Sequence, residues 1–134
     1  MSIQSKIKEI NDMFMVFDDP MDKYIQIIEL GKKSKGISNK EKNESNRIYG
    51  CASMAWVICI KNKKNYTILT DSDTLIVKGL LNIIQYILDN ETKEEIKKLS
   101  IDDILNNIGL ENSITSQRTN GLINALNKIK KEIN

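Results

Sequence analysis

The chain has 134 residues, of which 40% are hydrophobic and 28% are charged, and its net charge is +2. This length and composition predict a single domain over residues 1–134 with one hydrophobic core. Basic and acidic residues are interspersed and only 5% of residues are aromatic, which argues against nucleic acid as a partner.

The sequence contains no histidine. Cys–His and Ser–His catalytic pairs and histidine-containing metal sites are therefore excluded. The two cysteines, Cys51 and Cys59, are too few for a four-cysteine zinc or iron–sulfur site within one chain. We expect no metal site, and any chemistry must come from thiols, carboxylates, lysines, arginines and the backbone.

The N-terminal residues 1–14 lack the apolar core and the cleavage site of a signal peptide. No apolar run approaches the length needed to span a membrane. We therefore expect a cytoplasmic protein without a membrane partner. In that compartment both cysteines should be reduced thiols.

Two helices are predicted at the start of the chain. Residues 3–13 carry isoleucines at helical spacing. Asp19 and Pro20 then provide an N-cap and a first helical residue for a second helix, which runs to about residue 33. The polar segment that follows, with two glycines, is predicted to be a loop.

The pattern then changes to that of β-strands. Residues 46–49, 53–60 and 65–70 are enriched in β-branched or aromatic residues, and the polar residues 61–65 predict a hairpin turn between the last two. We predict a three-stranded antiparallel sheet, with Cys51 in the turn between its first two strands.

A strong helix of about seventeen residues is predicted within residues 70–90. Asp71, Ser72 and Asp73 are candidates for its N-cap. Gly79 lies in the middle of this helix, where glycine costs about 1 kcal/mol relative to alanine. Close packing against another backbone would explain a glycine there.

Capping patterns predict the remaining helices. Thr92-x-x-Glu95 and Ser100-x-x-Asp103 resemble capping boxes for two short helices, and a last helix is predicted over residues 116–132. The order of elements indicates an α+β fold with helices packed on one sheet.

Cys51 follows Gly50 at the predicted turn, and two interpretations stay open. A turn leaves the sulfur little steric cover, and its N–H groups can form an anion-binding nest, which favours a reactive thiolate. The alternative is a small apolar side chain in the core. Cys59 lies inside a strand and is expected to pack beneath a helix; as a resolving thiol it would start roughly 25 Å from Cys51 along an extended strand.

Asp73 and Arg118 also have two interpretations each. Asp73 suits capping and the dipole of the helix that it precedes. Arg118 suits a solvated first turn, but a cation is slightly unfavourable to the dipole there, which mildly favours another role.

Four segments, in order, resemble the SufE family of sulfur-acceptor proteins over nearly the whole chain. They are MDKYIQIIELGKK, NRIYGCASMAW, DSDTLIVKGLLNII and SQRTNGLINALNKIK. The matching residues are Gly50, Cys51, Ser53, Trp56, Ser72, Asp73, Lys78, Gly79, Leu80, Arg118, Asn120, Gly121 and Leu122. The chain departs from the family's pattern at Ala52 and Thr119, and it has no proline after the second helix.

The resemblance implies a SufE/IscU-like fold and a sulfur carrier with no stand-alone activity. SufE-like proteins stimulate a SufS-like cysteine desulfurase, accept its sulfur as a cysteine persulfide and pass it to a SufB-containing scaffold complex. Cys51 matches the acceptor, and Asp73 and Arg118 match positions near its loop. Pyridoxal phosphate belongs to the desulfurase, so no cofactor is implied for this chain, and a homodimer is compatible with the resemblance.

Other functions remain open at this point. One is sulfur delivery to a tRNA-modifying enzyme, as in the similar CsdE branch. A second is a thiol redox enzyme or peroxide sensor, against which the absence of histidine and of a nearby resolving cysteine counts. A third is a plain interaction domain in which Cys51 is structural.

Overall fold

Two helices open the fold in the computed structural model, which describes residues 2–134. Helix α1 spans Ile3–Met15 and helix α2 spans Pro20–Lys33. The Asp19 side chain accepts a hydrogen bond from the Met21 N–H at the start of α2. The predicted N-cap, proline and end of α2 are confirmed, whereas α1 continues two residues beyond its predicted end.

The sheet has three antiparallel strands in the order β1-β2-β3. Strand β1 spans Ala55–Asn62, β2 spans Asn65–Ser72, and β3 contains only Glu91–Thr92. The hairpin between β1 and β2 is confirmed, and Lys63 in its turn has a φ of 57°. The α+β fold class and the three-stranded antiparallel sheet are therefore confirmed.

One of the three predicted strands is wrong: residues 46–49 do not form a strand. Arg47 makes a single antiparallel bridge to Trp56, and the Ile48 N–H donates to the Ala55 carbonyl at 2.8 Å. Gly50, with a φ of 87°, then turns the chain away from β1. The pairing is therefore too short to be a strand, and the third strand is β3, which joins the far edge of β2.

Helix α3 spans Leu75–Leu88, and its predicted N-caps are also wrong. Thr74 is the N-cap residue, and no side chain caps the helix. Asp71 and Ser72 belong to the end of β2. The helix is shorter than predicted because the sheet extends into the segment that we assigned to it.

Gly79 is explained by close packing between α2 and α3. A Cβ atom at Gly79 would overlap the carbonyl oxygen of Ile27, and a Cβ at Gly31 would overlap that of Leu75. Both glycines therefore permit a backbone approach that no other residue allows. The close packing predicted from the sequence is confirmed.

The C-terminal helices are α4, Lys93–Lys97; α5, Ile101–Ile108; and α6, Ser116–Glu132. The Thr92 and Ser100 side chains accept hydrogen bonds from the Glu95 and Asp103 N–H groups, as the capping patterns predict. The predicted bounds of α6 are confirmed. No helix within residues 2–134 is long and apolar enough to cross a membrane.

Apolar side chains from the helices and from the sheet form one core cluster. Its fully buried members include Phe14, Ile27, Val57, Ile68, Ile87, Leu88, Ile96, Leu110, Ala125 and Ile129. Because α3 and α6 both contribute to this core, packing fixes their positions next to the segment that carries Cys51.

Candidate functional site

The cysteine loop, residues 49–54, connects the segment around Arg47, which forms the bridge to Trp56, with the start of β1. Its C-terminal end is fastened to the segment between β2 and α3. The Met54 carbonyl accepts from the Ser72 hydroxyl at 2.8 Å and from the Asp73 N–H at 3.1 Å. The Thr74 hydroxyl donates to that of Ser53 at 3.0 Å. This end of the loop is therefore fixed to the rigid part of the fold.

Cys51 lines a cavity of about 240 Å³ between the cysteine loop, α3 and α6. Its thiol donates a long hydrogen bond to the Gly121 carbonyl, with a Sγ to oxygen distance of 3.7 Å. The apolar residues that line the cavity are Val77, Leu80, Leu81 and Leu122. The sulfur is half-buried in this arrangement. Its exposure is therefore intermediate between the two alternatives left open by the sequence, an exposed thiol at a loop tip and a buried side chain in the core.

The environment of the thiol favours its neutral form. Burial raises the pKa of Cys51 above its ordinary value, because a thiolate loses hydration in an apolar site. The hydrogen bond to Gly121 also uses the thiol proton. In this position the neutral thiol is therefore favoured over the thiolate, which is the nucleophilic form.

Arg118 lies in the first turn of α6 and lines the same cavity as Cys51. Thr115 caps this turn by accepting from the Arg118 N–H at 3.3 Å. Within residues 2–134, no ion pair joins the Arg118 guanidinium to a carboxylate. Burial is the only cause of the raised pKa of Cys51, so the Arg118 charge does not lower that pKa in this arrangement.

Asp73 is not brought into the cavity. Its side chain is exposed, and its N–H group bonds to the Met54 carbonyl. The three candidate residues therefore divide into two positions: Cys51 and Arg118 share one site, and Asp73 lies on the surface where the cysteine loop is fastened.

Asp71 is a buried carboxylate whose importance the sequence did not reveal. Its side chain accepts hydrogen bonds from the N–H groups of Ile37 and Ser72. Lys42 and Lys78 each lie 3.4 Å from one of its oxygens. These partners come from the polar loop after α2 and from α3, so no local pattern places them together.

The balance of effects at Asp71 favours the ionised form. Burial acts to raise its pKa, but the two backbone hydrogen bonds and the two lysines outweigh burial and lower the pKa below its ordinary value. The charged carboxylate therefore links the polar loop, the end of β2 and α3 beside the point where the cysteine loop is fastened.

Cys59 has a structural environment. It is half-buried on β1 and packs against the core, and burial and the nearby Glu132 raise its pKa to about 12. Cys51 contacts α6 at Gly121, eleven residues before Glu132, which is about 16 Å along a helix. The two sulfurs are too far apart to form a disulfide without refolding, and both cysteines are free.

Within residues 2–134, no group of three or more cysteine, aspartate or glutamate side chains is placed to hold a metal ion.

Residues 8–133 match the family described as SufE, an Fe-S metabolism associated domain. The cysteine desulfuration protein SufE of Wigglesworthia glossinidia brevipalpis is 37% identical over 93% of this chain and 89% of that protein. An uncharacterized SufE-like protein of Rhizobium etli is 32% identical over 96% of this chain and 89% of that protein.

A structural comparison agrees on the fold. The solution structure of a hypothetical protein from Thermus thermophilus matches with a TM-score of 0.76 and 18% identity, over 96% of this chain and 93% of that one. The family match covers all four segments in which we noted the resemblance, and it includes the cysteine loop, α3 and the start of α6. The chain belongs to the SufE family.

Proposed function

We propose that this chain is a sulfur carrier that accepts sulfane sulfur on Cys51 from a SufS-like, pyridoxal phosphate-dependent cysteine desulfurase. It stimulates that enzyme and passes the sulfur to a SufB-containing iron–sulfur scaffold. The observation that carries this proposal is that Cys51 and Arg118 line the same partly apolar cavity. Family membership and the name of the Wigglesworthia relative support the same role.

The transfer is an exchange between sulfur atoms. The Cys51 thiolate attacks the terminal sulfur of the desulfurase persulfide, a new S–S bond forms on Cys51, and the existing S–S bond breaks. The electron pair of the broken bond remains on the desulfurase cysteine as a thiolate. No external oxidant or reductant is needed, and neither histidine nor a metal takes part.

Each candidate residue has a distinct part in this proposal. The Arg118 guanidinium stabilises negative charge on the attacking thiolate and then on the persulfide. Asp73 contributes a surface carboxylate next to the loop, where a docked partner would meet it. The lining of Val77, Leu80 and Leu81 limits access of water and small thiols to the sulfur.

The protonated, half-buried thiol suits a carrier that has no stand-alone activity. A free carrier that exposed a thiolate would react with oxidants and other thiols. A docked desulfurase can stabilise an outward position of the cysteine loop. The reactive thiolate is then populated only in the complex.

Mass spectrometry tests the proposal directly. The intact protein is incubated with a SufS-like desulfurase, pyridoxal phosphate and L-cysteine, and we expect it to gain the mass of one sulfur atom. Cys51→Ser should abolish the gain, whereas Cys59→Ser should retain it. A sulfur found on Cys59, or none on the wild-type chain despite an active desulfurase, would refute the role given to Cys51.

The recipient is tested in a second step. The persulfide-loaded chain is mixed either with a SufB-containing scaffold or with a tRNA-modifying sulfur acceptor, and radiolabelled sulfur is followed into each protein. We expect transfer to the scaffold. Transfer to the tRNA-modifying enzyme alone would indicate CsdE-like delivery instead.

The thiol redox enzyme or peroxide sensor is disfavoured by the same geometry. Such proteins need a thiolate in the free chain, commonly with a resolving cysteine nearby. Burial raises the pKa of Cys51, and Cys59 packs near the other end of α6. Rapid sulfenic acid formation on Cys51 by peroxide, without any partner, would reverse this conclusion.

A further inference from the structure

One face of α6 contacts the chain segment that leads to Cys51. Lys128 donates to the Ser45 carbonyl at 2.9 Å. Asn124 packs against Gly50 so closely that a Cβ on that glycine would overlap its side-chain amide. Residues three and four apart on a helix lie on one face, and Gly121 continues this face toward the thiol.

Gly121 lies within α6, and its backbone does not require glycine. It is not among the glycines with a positive φ, and it is buried. Glycine in a helix interior costs about 1 kcal/mol relative to alanine, so its presence has to be explained by its surroundings. A Cβ atom at this position would lie 3.1 Å from Cys51 Sγ and 3.9 Å from Cys51 Cβ, with no other atom within 4 Å apart from its chain neighbours and the adjacent backbone of α6.

The contrast with Gly79 shows what kind of constraint this is. A Cβ at Gly79 would overlap the backbone of α2, which cannot yield without moving a helix. A Cβ at Gly121 would lie 3.1 Å from the Cys51 sulfur, a tight contact that a small shift of that one side chain can relieve. The missing Cβ of Gly121 therefore lets the thiol lie closer to α6 than an alanine would allow.

We propose that Gly121 is a positioning residue for the sulfur-accepting thiol: its lack of a side chain allows Cys51 Sγ to lie against α6, and its carbonyl holds the thiol proton there. This inference rests on the proposed function for its biological meaning, but the geometry that it concerns is that of the free chain. In Gly121→Ala, the added methyl group pushes Cys51 Sγ away from the helix by a few tenths of an ångström and lengthens the S–H to carbonyl hydrogen bond, which is already 3.7 Å. We expect this shift to weaken the bond and to increase the exposure of the sulfur.

The first experiment uses the free protein and no sulfur chemistry. Alkylation of Cys51 by iodoacetamide is followed by peptide mass spectrometry from pH 7 to 10.5 for the wild type, Gly121→Ala and Asn127→Ala. Asn127 is an exposed residue of α6 away from the cavity, and its replacement controls for a change in helix propensity.

We expect Gly121→Ala to raise the alkylation rate at pH 7.5 by roughly threefold or more, with the midpoint of the pH profile at least about half a unit lower, because less burial favours the thiolate. Asn127→Ala should match the wild type. An unchanged or slower alkylation rate in Gly121→Ala would overturn the proposal, since it would mean that the added methyl group does not displace the sulfur.

A double-mutant cycle keeps the test valid if the single variant folds poorly. Thermal unfolding is compared for the effect of Gly121→Ala in the wild-type chain and in Cys51→Ala, which lacks the sulfur. We expect the added methyl group to raise the Tm more, or lower it less, when the sulfur is absent. The same Tm change in both backgrounds would show that Gly121 and Cys51 do not compete for space.

Persulfide lifetime separates this proposal from the proposed function. After loading by a desulfurase, the persulfide is exposed to dithiothreitol, which releases the outer sulfur as sulfide and becomes a cyclic disulfide while Cys51 returns to a thiol. Faster loss from Gly121→Ala supports both proposals, and equal loss overturns the positioning role. Failure of the wild type to load at all, together with faster alkylation of Gly121→Ala, would refute the carrier function and leave the positioning role intact.

Discussion

At the scale of single residues, the two cysteines show how position in the fold changes the exposure and the pKa of a thiol. Cys51 lies in a loop, lines a cavity and contacts a backbone carbonyl, so small movements of the loop alter the exposure of its sulfur. Cys59 lies within β1 against the core, and its pKa is raised to about 12. A loop without regular backbone pairing can move more readily than a strand paired along its length.

We predict that alkylation separates the two thiols. At pH 8 only Cys51 should react with iodoacetamide, and its rate should still be rising above pH 9, because burial raises the pKa and thiolate appears only as pH increases. Cys59 should react only after unfolding in urea. Peptide mass spectrometry assigns the sites, and labelling of native Cys59 at a comparable rate would contradict this environment.

A second prediction concerns the cation in the cavity. Arg118→Gln should slow sulfur acceptance by Cys51 by about tenfold, because the guanidinium would no longer stabilise the thiolate and the persulfide. Lys131→Gln removes one positive charge from the exposed far end of the same helix and serves as the control. Single-turnover transfer from a loaded desulfurase provides the rate; equal slowing in both variants would point to general electrostatics instead.

At the scale of elements, the fold is organised by contacts between α2 and α3 and by the junction of β2 with α3. The first contact depends on two glycines that let the helix backbones touch. The second is the charged network around Asp71, which joins the loop after α2 to the sheet. Both lie next to the segment that fastens the cysteine loop, so a change in either alters the support of the site.

We predict that Gly79→Ala destabilises the protein by about 2 kcal/mol. The gain of about 1 kcal/mol in helix propensity should be exceeded by overlap with the Ile27 carbonyl, which forces the helices apart. Asn82→Ala, elsewhere on α3, should change stability by less than about 0.5 kcal/mol. Urea unfolding measures both variants, and a stabilised Gly79→Ala would show that α2 and α3 are further apart than described.

A further prediction concerns the acid stability contributed by Asp71. Its pKa is lowered in the folded state, so its ionised form stabilises the fold above the unfolded pKa of about 3.9 and this contribution is lost as pH falls. Asp71→Asn should cost about 2–3 kcal/mol at pH 7, because it leaves two lysines beside a buried neutral amide. The variant's stability should also decline less steeply than that of the wild type below pH 4, as measured by urea unfolding across pH. Parallel pH profiles would mean that Asp71 is not the responsible carboxyl group.

At the scale of the whole molecule, one apolar cluster includes residues of α1 through α6 and of the sheet. A single cluster gives each element neighbours in the others, which favours cooperative unfolding. The prediction of a single domain over residues 1–134 can be tested through this property.

We predict that urea unfolding follows one transition whichever probe is used. Trp56, which is 6% exposed on β1, reports the sheet by fluorescence, and circular dichroism at 222 nm reports mainly the helices. The two midpoints should coincide, as expected for a two-state domain of this size. Separate transitions would reveal two independently folding units and contradict the single-domain prediction.

Local patterns account for what the sequence predicted correctly. The start and end of α2, the hairpin between β1 and β2, and the bounds of α6 depend on periodicity, capping and turn residues within a few positions of one another. Such interactions are encoded in adjacent residues, and at these positions no tertiary contact overrides them. The four motif segments identified the family for a related reason: each is a short, ordered string that can be recognised without coordinates.

The tertiary structure decided the features that depend on residues distant in the chain. It replaced the predicted strand at 46–49 with β3, because an edge strand is chosen by which segment reaches the free edge of β2. It changed Asp71 from a candidate cap into a buried charge held by two lysines. It also placed Cys51 against Gly121, seventy residues away, and so determined the exposure and pKa of the thiol. Burial and charge pairing are sums over neighbours in space, and the order of residues along the chain does not contain them until the helices and the sheet have packed.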